Sequence, residues 1–271
     1  MRGFSHDIKN PLGAANGYAA LLADDIFGLK PGWIERFANE VERLGARTPF
    51  KCLLRVDLIK PGIPEALKRA GCDIVWVGAE SGSQKILDAM DKGTKVEEIY
   101  AAAKNLHAQG IKIGFFLQFG YPGENRDDIE LTLKMVRECR PDDIGMSVSY
   151  PLPGTKFYDN VKAELGAKQN WLDSGDLAMM YHGPYGPEFY RQLHAVLHKE
   201  FRSRRTWQEL RQGNGRRHSV REIASMAANA ATLPIARRKL EKLAVKSKHS
   251  LDVLPQIMTP EAAARPTPQT D

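Results

Sequence analysis

Between Asp24 and Tyr158 the chain alternates short apolar runs with amphipathic stretches, and few folds accept that alternation. The runs Phe50–Asp57, Asp73–Glu80, Lys112–Gly120 and Asp143–Tyr150 are rich in aromatic and aliphatic residues and nearly continuous in hydrophobicity, as strands covered on both faces require. Between them lie helical patterns at Pro31–Gly45, Gly62–Gly71, Lys95–Gly110 and Asp127–Arg140. In the first, Ile34, Phe37, Val41 and Leu44 recur three and four apart, with Pro at the start and Gly at the end. Strand and helix in strict succession make sequential strands parallel neighbours with helices packed outside. The expected fold is α/β, a partial (β/α) barrel, with a doubly wound open sheet as the alternative from pattern alone. Its five strands should end at Phe27, Asp57, Glu80, Gly120 and Tyr150, and those carboxyl ends should form the ligand face.

Composition narrows the class. The chain has 271 residues, 42% hydrophobic and 27% charged, which suits an ordinary globular protein. It has no apolar run of the ~18 residues a membrane span needs and no leader of the secretory type, so the expected location is cytoplasmic. Much of the +6 net charge sits late, in Lys199–Arg205, Arg211–Arg221 and Ala236–His249. Without interleaved aromatics for base stacking, these read as solvated helical faces, and nucleic acid is not expected as a partner. The widely spaced Cys52, Cys72 and Cys139 match no zinc or cluster spacing and read as buried, reduced thiols.

The strand ends carry the residues suited to binding. Asp24 and Asp25 offer carboxylates to an ammonium group. Arg55 suits either a bidentate grip on a carboxylate or a structural bridge to Asp57 or Glu80. Glu80, Ser81 and Ser83, in GAESGS, offer polar groups to ligand hydroxyls, while Ser83 equally suits a helix cap. Gln118, Gly120, Tyr121, Pro122 and Gly123, in QFGYPGE, and Tyr150, Pro153 and Gly154, in YPLPGTKFY, form the most specific sequence in the chain. Ordinary packing is the alternative role for Tyr121 and Tyr150.

The runs CDIVWVGAESGSQKIL, IKIGFFLQFGYPGE and DDIGMSVSYPLPGTKFYD resemble the radical S-adenosylmethionine (SAM) superfamily, most closely the subclass whose members often carry a cobalamin domain. The resemblance implies a SAM site in which the Asp24–Phe27 run holds the methionyl amine and the last two strand ends lie beside the adenine. It also implies a [4Fe–4S] cluster on C-x3-C-x2-C after the first strand, upstream of Asp24. This sequence contains no such motif. The expectation is therefore a family member truncated before its cluster motif. It would keep residual, weak SAM binding but no metal ligands and no catalytic residue of its own. Cobalamin belongs to the parent family only. The parent would cleave SAM reductively to drive radical methylation, cyclisation or rearrangement of a small-molecule substrate.

The leader FSHDIKNPLGAANGYAALL resembles the phospho-acceptor helix of sensor histidine kinases, with His6 as the implied phosphoryl acceptor and Asp7 beside it. The alternative functions are thus a phosphotransfer fragment or a non-functional chimera. The expected layout is a kinase-like helix over 1–22, a partial barrel lacking its first strand over 23–165, a helical extension over 166–254 and a disordered tail over 255–271. Nothing in the sequence fixes an oligomeric state.

Overall fold

The computed structural model describes residues 20–22, 26–165, 177, 179–212 and 218–253, and side-chain surroundings for residues 26–165, 177, 179–211 and 218–246. Five strands form one sheet: β1 (Ala20–Leu22), β2 (Phe50–Leu54), β3 (Cys72–Glu80), β4 (Lys112–Phe119) and β5 (Asp143–Val148). Their order in space is their order in sequence, and all four pairings are parallel. The alternation read from the sequence is thus the architecture, an α/β fold on a parallel sheet. The helices between strands are α1 (Trp33–Arg43), α2 (Ile63–Ala70), α3 (Gln84–Ala89), α4 (Val96–Ala108) and α5 (Arg126–Cys139).

Three boundaries differ from expectation. Ala20–Leu22, read as the end of a leader helix, pairs instead with Phe50–Cys52 as a strand. The Ile26–Gly28 segment, read as a strand end, is a turn whose Phe27 N–H donates to the Leu53 carbonyl at 2.8 Å. The second strand stops at Leu54 rather than Asp57 because residues 56–58 wind into a 3-10 turn.

Sequence periodicity explains which face of the sheet is sealed. On β4, Ile113, Phe115, Leu117 and Phe119 point one way and are fully buried, whereas Phe116 between them is 42% exposed. The buried set meets Ile99, Ala102 and Leu106 of α4 and Ile129, Leu133 and Val136 of α5 in one core. At the β1–β2 edge, Phe27, Trp33, Phe37 and Phe50 form an aromatic cluster, with Trp33 stacked on Phe37 at 5.1 Å. Helix α5 starts on a reciprocal cap. The Asn125 side chain accepts from the Asp127 and Asp128 N–H groups, and the Asp128 carboxylate accepts from the Asn125 N–H.

The opposite face carries an aromatic shelf. Trp76 and Phe116 stack at 4.7 Å between centroids. A Cβ on Gly114 would lie 2.4 Å from the Trp76 ring, so the indole rests directly on the Gly114 backbone. Gly114→Ala should force Trp76 off this seat and cost about 1–3 kcal/mol, the usual price of overpacking. Urea denaturation checks this, and an unchanged midpoint refutes it.

After β5 come the short α6 (Lys156–Val161) and a helical hairpin of α7 (Pro187–Gln212) and α8 (Val220–Val253). Helix α8 runs through Pro234 without ending there. Ala236, Leu240 and Ala244, four apart, are buried in the core with Leu193, Val196 and Leu197 of α7. Arg126 of α5 ties the hairpin to the sheet layer through an ion pair with Glu241. No helix among the described residues is long and apolar enough to cross a membrane.

Candidate functional site

The carboxyl ends of β2, β3 and β4 open onto a cleft of about 290 Å³. Its floor is the Trp76–Phe116 shelf with Leu53 and Gly78, and Arg55 and Lys92 stand at its rim. Lys92 pairs with Glu80 at 2.7 Å, and the two charged groups lie over Gly78, where a Cβ would meet the Glu80 carboxylate at 2.7 Å. Arg55 forms a bidentate pair with Asp57, at 2.9 and 3.1 Å. That hydrogen-bonded pair holds the Asp57 carboxyl below its ordinary range despite partial burial. Of the two roles open to Arg55, the bridge to Asp57 is the one formed. Arg55 still lines the cleft.

Several residues expected at the site turn elsewhere. Glu80 has a left-handed backbone, φ 54°, and the β3–β4 register shifts between Gly78 and Glu80. The chain after it is thereby aimed at α5. Ser81 is fully buried and exchanges a hydrogen bond with the Thr132 hydroxyl at 3.1 Å. Ser83 donates to Asp128 Oδ1 at 2.7 Å and makes no side-chain cap. Both serines fasten the turn to the helix layer, away from the cleft. Tyr121 donates to the Ala89 carbonyl at 2.8 Å and packs on Phe157. Pro122 and Gly123 form an exposed turn whose Gly123 carbonyl accepts from Lys85 at 3.0 Å. Tyr150 is half-buried, and Pro153 and Gly154 form an exposed turn into α6, which Thr155 caps. Gln118 is half-buried on the shelf side of β4, opposite Ser147. The cleft is therefore lined by Arg55 from the expected set, together with Trp76, Lys92 and Phe116, and Glu80 reaches its edge through Lys92. Asp24, Asp25 and His6 lie outside the described residues.

Glu124, the last residue of QFGYPGE, turns inward beneath the loop. It is 3% exposed. Its Oε2 accepts from the Gly120 N–H at 2.7 Å, and its Oε1 is buried without a partner among the described residues. Burial, reinforced by the nearby Asp128 charge, pushes its carboxyl up to about 8. Gly120, at φ 85°, is held from three sides. Besides Glu124, the Tyr181 hydroxyl donates to its carbonyl, and the Tyr190 ring sits 3.1 Å from where a Cβ would be. A polar residue four positions from a left-handed glycine at a strand end was the sequence signal for this contact.

The residues present do not fit an iron–sulfur cluster. The chain's cysteines are Cys52, Cys72 and Cys139, all described and all buried. Cys52 and Cys72, 20 residues apart in sequence, have sulfurs 3.8 Å from each other across β2 and β3. In the ladder Phe50 pairs with Cys72 and Cys52 with Val75. Cys139 ends α5. Among the described residues no three Cys, His, Asp or Glu side chains converge as a metal site.

A parallel α/β sheet with a polar-rimmed cleft at its strand ends defines a broad class of ligand-binding fold. Residues 27–136 match the profile of the Radical SAM superfamily. The resemblance carried by the sequence motifs is thereby shown for that segment. An uncharacterized methyltransferase of Pyrococcus horikoshii is 27% identical over 150 residues, 55% of this chain and 32% of its own length. A putative methylthiotransferase of Methanocaldococcus jannaschii is 36% identical over 108 residues, 40% of this chain and 24% of its own. The chain thus spans a third or less of the curated relatives it matches. Among solved structures, the radical SAM methyltransferase TsrM of Kitasatospora setae, with cobalamin and a [4Fe–4S] cluster bound, aligns at a TM-score of 0.49. It is 18% identical, covering 59% of this chain and 31% of that one.

Proposed function

We propose that this chain holds the nucleoside and sulfonium portions of SAM in the cleft at the ends of β2–β4, and supplies no cluster ligand from its own cysteines. The observation that carries the reading is the Trp76–Phe116 shelf flanked by Arg55 and the Glu80–Lys92 pair. A stacked aromatic surface suits both an adenine ring and a sulfonium cation. Arg55 and Lys92 suit the methionyl carboxylate, and Glu80 suits its ammonium group or a ribose hydroxyl. At about 290 Å³ the cleft lies near the lower end of ordinary ligand sites. Group transfer to a small molecule, and any use of cobalamin, belong to the whole proteins of this family. This chain's share is nucleoside binding.

Equilibrium dialysis with labelled SAM tests the proposal. Saturable binding is expected, weakened about tenfold or more by Trp76→Ala, which removes roughly 1.4 kcal/mol or more of contact. Lys92→Ala should weaken SAM more than adenosine. Absent binding, or binding indifferent to both substitutions, would refute the assignment.

A further inference from the structure

A second cavity, larger than the strand-end cleft, is a groove of about 450 Å³ between α5 and the second half of α7. His107, near the end of α4, and Asp142, just before β5, close one end of it. These positions lie at the amino ends of β4 and β5, so the groove opens at the opposite end of the sheet from the cleft.

Its rim is cationic and held in place. Glu200 is 6% exposed and fixes three guanidinium groups: Arg237 at 2.6 Å, Arg204 at 3.0 Å and Arg137 at 3.4 Å. Burial alone would raise the Glu200 carboxyl, but these arginines outweigh it and hold the group below its ordinary range. Arg205 is held by Glu209 at 2.9 Å and by the Asp142 carbonyl at 2.6 Å. His107 faces Asp142 at 3.1 Å. Two polar groups on the lining stay uncommitted: Arg140 and Gln208 make no side-chain hydrogen bond or ion pair among the described residues. Arg140 projects from the left-handed C-cap of α5, φ 50°, beyond the last helical turn. Leu133, Val136, Leu197 and Phe201 supply the apolar part of the lining.

Arg137, Arg140, Arg204 and Arg205 face Asp142, Glu200 and Glu209, so guanidinium groups outnumber carboxylates on the lining by one. The excess corresponds to Arg140. A guanidinium with its donors free, beside a free carboxamide and above an apolar wall, is built to receive one anionic head with an apolar body. We propose that this groove is a second ligand site, separate from the strand-end cleft, for a small organic acid bearing one carboxylate or phosphate next to an apolar group. Arg140 and Gln208 bind the head, Arg204 adds charge from the facing helix, and Leu133, Val136 and Phe201 take the body.

Methyl NMR of the full chain, titrated with phenyl phosphate, benzoate, inorganic phosphate and phenol, tests this. Saturable shifts of the Leu133, Val136 and Leu197 methyls are expected with phenyl phosphate or benzoate. Binding should be about tenfold weaker with inorganic phosphate and undetectable with phenol, because head and body each contribute. The stronger of phenyl phosphate and benzoate identifies the head group. Arg140→Ala should weaken binding about tenfold, and Arg204→Gln by a smaller factor. Equal shifts with phenol, no shifts in these methyls, or unchanged affinity in both variants would overturn the proposal.

Discussion

Anaerobic reconstitution of this chain with iron and sulfide is expected to yield no stoichiometric [4Fe–4S] cluster, and 5′-deoxyadenosine formation from SAM should stay at background. The reason is the placement of sulfur. A cluster of this type is held by thiolates, and two of the three thiols here, Cys52 and Cys139, are held towards the protonated form. The hydrogen bond between Cys52 and Cys72, together with burial, pushes the Cys52 thiol far up. Burial pushes Cys139 up to about 12. Cys52 and Cys72 approach each other inside the sheet–helix core, whereas Cys139 ends α5, and no third ligand joins the pair among the described residues. Iron quantification, electron paramagnetic resonance and product analysis read the outcome. One cluster per chain, with 5′-deoxyadenosine formed in step with reductant consumption, would refute the prediction.

Glu124→Gln should make the protein markedly less sensitive to pH. The wild-type carboxyl sits at about 8 in the fold, because burial disfavours its charge, against a reference value of 4.5. A raised carboxyl favours the protonated folded state. The wild type should therefore lose stability relative to the variant as pH rises from about 4.5 to about 8, and level off above that. Full expression amounts to a few kcal/mol, at about 1.4 kcal/mol per unit. The glutamine stays neutral throughout, and its carbonyl can still accept from the Gly120 N–H. Urea denaturation of both proteins between pH 5 and 9 measures the difference, and parallel profiles would sink the assignment.

Much of the fold was legible because buried parallel strands and amphipathic helices leave separate signatures. The strands from Phe50, Cys72, Lys112 and Asp143 fall where apolar runs stood, and their order follows from the crossover rule. The site was less legible because facing depends on registers that no local pattern encodes. Glu80 in a left-handed conformation redirects Ser81 and Ser83 from the cleft to α5, so two hydroxyls suited to a ribose became structural. Trp76 and Phe116 were hidden inside runs that read as uniformly apolar, although alternation places them on the less covered face. The approach of Cys52 to Cys72 depends on how two strands pair, which spacing in one dimension cannot show. Glu124 stood within a recognised motif, but the Gly120 it accepts from is also packed by Tyr181 and Tyr190, far along the chain.

A sheet whose spatial order equals its sequence order has a consequence for how such chains can change. Each strand joins only its predecessor and successor, so cutting the chain between two units breaks a single ladder and threads nothing through a closed loop. Joining foreign sequence at either margin likewise asks only that one strand edge be matched. A fold wired this way tolerates recombination at its ends far better than one in which distant segments interleave, and its outermost ladders are the natural places for such seams.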